Sequence, residues 1–163
     1  MNTKKKQGGL ARFREWTVTR GIELDVVMLE DHARTAEQAA AALGCEVAQI
    51  AKSLIFSTGP QGLPVLVVAS GINRVDTGKI EQHLGSTLAG VDANYVREHT
   101  GYAIGGVPPF AHKHAIPTLI DRDLLCYDSI WAAAGHPKSV FACHPRDLEN
   151  WTAGTVLDVK SEA

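Results

Sequence analysis

Apolar positions along this chain fall into short runs of two kinds, helical and extended. Leu10, Phe13 and Trp16 recur three residues apart after Gly8-Gly9, the spacing of one helical face, and Gly21 stands where that helix would end. Residues 23–29 carry Leu24, Val26, Val27 and Met28 and predict a strand. Thr35 with Gln38 three residues on makes a capping box before the alanine-rich run 36–43, and Gly44 comes next as its C-terminal glycine. Residues 51–57 form an apolar strand interrupted by one lysine. Gly59-Pro60-Gln61-Gly62 is a turn, and 63–69 returns, so the pair predicts a hairpin with one nearly fully buried strand.

Asp76 or Thr77 caps a helix through Leu84, and Asp92 starts another through His99 that Gly101 closes. A Gly/Pro-rich loop at 105–109 comes next. Core strands are predicted at 118–121, 129–134 and 140–143, then a short helix from Pro145 to about Trp151, then a last strand at 155–159. Helices and strands are interspersed, yet several strands are joined by short turns. The expected fold class is therefore α/β of the α+β type, with a mixed and largely antiparallel sheet rather than a doubly wound parallel one.

Length and composition narrow the picture. The 163 residues suit one domain with a real core, and no repeat or linker divides them. The expected organisation is a tail over 1–9 and a single domain over 10–163. No apolar run approaches the roughly 18 residues of a membrane span. The three lysines near the N-terminus are not followed by an apolar stretch, so no signal peptide is expected. Cys45, Cys126 and Cys143 are isolated and odd in number, which points to a reducing, cytoplasmic setting and to small core residues. The net charge of −2 argues against a protein that coats DNA or long RNA; any RNA contact should be local.

Three features could carry chemistry. Lys52 sits among apolar neighbours in Ile50-Ala51-Lys52-Ser53-Leu54-Ile55-Phe56. Alternation allows it to point to water, or to present an ammonium in a cleft to an anion, a hydroxyl or a carbonyl oxygen. The stretch Thr100-Gly101-Tyr102-Ala103-Ile104-Gly105-Gly106-Val107-Pro108-Pro109-Phe110 is a plain structural loop, or one whose adjacent glycines bring backbone N–H groups close to an oxyanion. His112 and His114 are close together, but no HExxH or Cys/His pairing supports a metal, and none is expected. No nucleotide-phosphate loop and no GxSxG elbow is present, and no cofactor is expected. Asp121 and Asp123 flank a strand end and are expected to cap the turn beyond it. From the residues alone the chain is an α/β domain with a candidate small-ligand cleft.

Taken together, the segments resemble the YbaK/aminoacyl-tRNA deacylase family, free-standing relatives of the editing domain in bacterial prolyl-tRNA synthetase. The likeness covers about residues 20–160. It rests on the strand around Lys52, on Arg74-Val75-Asp76 before a helix, on Thr100 to Pro109, on Pro117-Thr118-Leu119-Ile120-Asp121 and on Trp131-Ala132-Ala133-Ala134-Gly135. The resemblance implies a strongly curved mixed sheet with surrounding helices, and hydrolysis of the ester joining a wrong amino acid to tRNA, with tRNA(Pro) the first expectation. The family's lysine maps to Lys52, and its GxxxP loop to Gly105 through Pro109. In that reading Lys52, Gly105 and Gly106 are catalytic, and Ser53, Arg74, Thr100, Tyr102, Ile104, Val107, Pro108, Pro109 and His112 bind substrate. Val26, Met28, Ile55 and Val68 join Ile104 as candidate pocket residues.

The expected partner is the acceptor end of a mischarged tRNA, with prolyl-tRNA synthetase a candidate second, and no membrane and no DNA. After the loop, Phe110-Ala111-His112-Lys113-His114 departs from other branches, so the amino acid removed stays open. Two alternatives stand beside this reading: a non-catalytic tRNA- or synthetase-binding module on the same fold, and a metal-assisted hydrolase acting through His112 and His114.

Overall fold

The computed structural model describes residues 8–30 and 33–162. The tail expected over 1–9 lies outside the described residues up to 7, and Gly9 opens the first helix. In chain order the elements are α1 (Gly9–Thr19), β1 (Val26–Met28), α2 (Ala36–Leu43), β2 (Ile50–Thr58), β3 (Leu63–Ser70), α3 (Thr77–Leu84) and β4 (Leu88–Ala89). Then come α4 (Ala93–Thr100), β5 (Thr118–Asp121), β6 (Ile130–Ala133), β7 (Ser139–Cys143), α5 (Pro145–Thr152) and β8 (Thr155–Leu157). Short 3-10 turns occupy Val47–Gln49 and Arg122–Cys126.

Local chemistry sets most helix ends. Thr35 accepts from the Gln38 N–H while the Gln38 side chain accepts from the Thr35 N–H, the reciprocal box that starts α2. Asp76 and Asp92 each accept from backbone N–H groups at the starts of α3 and α4. The expected strand at 23–29 shrinks to three residues because only Val26–Met28 finds a partner, in β7. The strand expected over 155–159 stops at Leu157, although Val159 is still buried against the sheet. β4 has two residues, too few to leave a periodic signal. Of the cysteines, Cys143 is buried, whereas Cys126 is exposed and does not serve the core.

The sheet runs β1-β7-β6-β2-β3-β5-β8, with β4 beside β2. Four pairings are antiparallel, and three are parallel: β2 with β6, β3 with β5, and β5 with β8. β3 lies inside the sheet between β2 and β5 and is buried on both faces from Val65 to Ser70, which accounts for its unbroken apolar run. One face carries Ile55, Leu66, Val68, Ile120 and Phe141 and packs on α1, α4, α5 and the loop after α4. The other carries Val65, Val67 and Leu119 and is covered by Ile80 of α3 and by Val159. Among the described residues no helix is long and apolar enough to cross a membrane.

The loop between α4 and β5 is stapled from within. The Tyr102 hydroxyl donates to the Ala111 carbonyl at 2.6 Å, and His112 Nε2–H donates to the Pro108 carbonyl at 2.7 Å. Phe110 plugs the loop into the core, with ring centroids 5.4 Å from Phe13, 4.7 Å from Trp16 and 5.6 Å from Trp151. Phe110→Ala should therefore cost about 3–5 kcal/mol in urea unfolding, well above an exposed aliphatic truncation such as Val18→Ala. Burial pulls the His112 imidazole down to about 4. A folded value below the unfolded one makes stability complete above the unfolded pKa, falling as pH drops from about 6.5 towards 4. Wild type should lose about 1–2 kcal/mol more than His112→Gln between pH 7 and pH 5 in the same assay, the range allowing for its partial exposure.

Candidate functional site

The site begins with a strand pair that separates early. β2 and β6 run parallel and pair only at Ile50 with Trp131 and Ala51 with Ala132. On the same edge of β2, β4 pairs at Ser57 and Thr58. Between these contacts no strand among the described residues lies beside the outer edge of β2. The Gly71 N–H donates to the Ile50 carbonyl at 2.7 Å, which sets the phase of the β2–β3 ladder. Even-numbered residues of β2 thus bond to β3, and the N–H and C=O groups of Ser53 and Ile55 face the open edge.

A cavity of about 310 Å³ occupies the opening. Its floor is Ile50, Ala51, Lys52, Ser53 and Leu54 of β2. Trp131, Ala132 and Ala133 of β6, with Val140 of β7, form one wall. Leu29, Ala33, Arg34 and Thr35, with Ala36 and Ala39 of α2, form another, and Ile104, Gly105, Val107 and Pro137 close the rim. The lining is mostly apolar and small. Lys52 reaches it from a half-buried position opposite Ala69, whose short side chain leaves room beside the lysine stem. One of its three N–H donors goes to the Asn73 carbonyl at 3.2 Å. The other two have no protein partner among the described residues. The Ser53 hydroxyl is also buried, with no hydrogen-bond partner among the described residues. An ammonium with spare donors at an apolar cavity wall attracts negative charge more strongly than it would in water.

The glycine loop approaches from the far side. Gly105 has φ +87°, a conformation that side chains rarely adopt. Gly106 lies so close to the turn at 136–137 that a Cβ there would sit 2.9 Å from the His136 backbone. Its N–H is already given to the Ala103 carbonyl at 3.0 Å. A second cavity, of about 480 Å³, adjoins the first; it shares Ala33, Arg34, Gly105 and Pro137 and adds His136 and Lys138. The second cavity thus sets His136 and Lys138 beside the Arg34 that both cavities share.

Of the residues expected from sequence, the cavity brings together Lys52, Ser53, Ile104, Gly105 and Val107. The others do not line it. Arg74 is exposed on the turn after β3. Thr100 and Tyr102 are fully buried and hold the loop together. Pro108 and Pro109 are buried behind the rim, and His112 is tied to Pro108. Val26, Ile55 and Val68 pack into the core, and Met28 is exposed. Asp121 does cap the 3-10 turn after β5. Sequence reasoning missed the wall of Leu29, Ala33, Arg34, Thr35, Ala36 and Ala39, and missed Trp131, Pro137 and Val140, which long-range pairing brings to β2. The capping box at Thr35 marked a helix start and gave no sign that the helix borders a cavity.

Comparison with known proteins places this geometry in a family. The model of the aminoacyl-tRNA editing domain matches residues 30–151. Uncharacterized protein YwhH of Bacillus subtilis (strain 168) is 34% identical over 148 residues, 90% of this chain and 91% of that protein. The crystal structure of a protein proposed to be a trans-editing enzyme for prolyl tRNA synthetase superposes with a TM-score of 0.88 at 43% identity, covering 94% of this chain and 97% of that one. That of hypothetical protein APE2540 superposes with a TM-score of 0.84 at 31% identity, covering 92% and 99%. The open edge of β2, its lysine and the facing glycine loop are therefore features of a chain that belongs to the aminoacyl-tRNA editing domain family.

Proposed function

We propose that this chain is a trans-editing deacylase that hydrolyses the ester between a small, wrongly attached amino acid and its tRNA, with tRNA(Pro) the first candidate. The observation that carries the reading is Lys52, an ammonium with two spare donors at the wall of a small apolar cavity. An aminoacyl ester is already activated, so the remaining work is positioning and charge stabilisation. The acyl group enters between α2 and β6, and the terminal adenosine stays towards the mouth. Lys52 meets the carbonyl region or the adenosine. The Gly105 N–H supports the carbonyl oxygen. Gly106, whose own N–H is taken up by Ala103, contributes by letting the loop lie against the turn at 136–137. Water, oriented by the neighbouring ribose hydroxyl, attacks the ester carbon and gives up a proton as it adds. The tetrahedral adduct then releases the ribose oxygen, which takes up a proton, leaving a free amino acid and an uncharged tRNA 3′ end.

The alanines at 33, 36, 39, 132 and 133 and the Trp131 ring fit a sieve that admits small acyl groups and refuses larger ones. Alanine, cysteine, serine, threonine and non-protein amino acids are all within its range. Arg34, His136 and Lys138 at the second cavity suit the phosphates of an acceptor end. A working partnership with prolyl-tRNA synthetase is supported by the 43% identical neighbour, itself proposed to edit for that enzyme. His112, bonded to Pro108, is poorly placed to serve a metal-assisted route.

The test is deacylation of tRNA(Pro) charged with Ala, Cys, Ser, Thr or 2-aminobutyrate, with wild type beside Lys52→Ala. Wild type should release one or a few of these, and Lys52→Ala should be slower by on the order of 100-fold. Turnover unchanged in Lys52→Ala would remove the lysine from the mechanism. Tight tRNA binding by wild type with no release from any member would favour the non-catalytic module instead.

A further inference from the structure

Lys52 carries its charge on a flexible four-carbon stem, and an ammonium is a point charge with no geometry of its own. Something must fix where it points. Its partner is the main-chain carbonyl of Asn73 at 3.2 Å, in the turn that leaves β3. A carbonyl in a turn orients a lysine only as well as the turn is held. This one is held from β5, the strand next to β3 and two strands from Lys52. The Asn73 N–H donates to the Ser70 carbonyl at 2.9 Å. Its side-chain Nδ2 donates to Asp121 Oδ2 and to Asp123 Oδ2, both at 2.8 Å. Two carboxylates facing the same nitrogen also fix which end of the amide is which.

Asp121 ends β5 and is only 1% exposed. Besides Asn73, its Oδ2 accepts from the Ser70 N–H at 3.0 Å, and its Oδ1 accepts from the Asp123 N–H at 3.0 Å. Capping the turn after β5 requires only the Oδ1 contact. The Oδ2 contacts reach the end of β3 and the turn that carries the Asn73 carbonyl. A buried carboxylate is costly unless its oxygens are fully occupied, and here every contact locks that corner of the sheet.

We infer that Asn73 and Asp121 are positioning residues for Lys52, a role that depends on the deacylase reading only for its kinetic consequence. The chain of contacts runs from β5 through Asn73 to Lys52 on β2, and it leaves the two remaining lysine donors directed at the cavity. Neither residue lines the cavity, so neither meets substrate directly.

The experiment has two arms. In protein labelled with carbon-13 at lysine Cε, with Lys52→Arg assigning the signal, a held Lys52 shows two distinct ε-methylene proton shifts. Asn73→Ala and Asp121→Asn should merge them while the other lysine signals stay in place. In the deacylation assay, Asn73→Ala should lower kcat about tenfold with KM little changed, and should cost nothing further in a Lys52→Ala background. A Lys52 signal that is single in wild type, or still split in folded Asn73→Ala, overturns the inference. An equal kcat loss in both backgrounds does so too, since it marks a merely structural effect. Should Asp121→Asn fail to fold, Asn73→Ala decides alone. If wild type shows no turnover, the deacylase reading fails, and the spectroscopic arm still decides whether Lys52 is held.

Discussion

The site depends on β2 having partners at both ends of its outer edge and none in the middle. Had the parallel pairing with β6 continued past Ala51, strand would lie against strand and the cavity would close. Had β2 ended there, nothing would carry Lys52 into the opening. Pairing with β4 at Ser57 and Thr58 and the full ladder with β3 keep the strand extended across the gap. A rigid strand spanning an opening gives a lysine a firm base beside empty space, and unpaired backbone groups come with it.

The same arrangement explains the division between apolar and charged surfaces. The interior is lined largely by alanine, valine, leucine and one tryptophan, so little competing polarity surrounds the ammonium. Arg34 lies where the two cavities meet, and Lys138 lines the second. The chain has a net charge of −2, so this pattern is local and does not reflect an overall basic protein.

How much of this was legible in the sequence depends on the range of the interactions. Helix starts at Thr35, Asp76 and Asp92 were readable because a cap and its target lie within four residues. The buried hairpin was readable because each strand is itself an apolar run and a glycine-bounded turn joins them. Lys52 and the glycine loop stood out by contrast with their neighbours, and a family resemblance gave them meaning. Tyr102, Thr100 and His112 belong to the same conspicuous stretch yet serve the loop's own rigidity, and no local feature separates those roles. Asn73 left no signal, because its importance lies in a main-chain carbonyl facing a residue 21 positions away and an amide facing carboxylates 48 and 50 positions away. The walls from α2 and β6 were equally silent, since only the sheet order brings them to β2.

The two sides of the cavity differ in what they can tolerate. The floor belongs to a strand whose neighbour, β3, is buried on both faces, so a change of volume there disturbs the core of the whole molecule. The opposite wall is a two-turn helix of eight residues, anchored at its start by its own capping box and presenting alanines to the cavity. Each alanine is a place where one larger residue would narrow the space without touching the lysine or its supports. The volume of the cavity can therefore be reset by substitution on one short helix, while Lys52 and its supports on the other side stay in place.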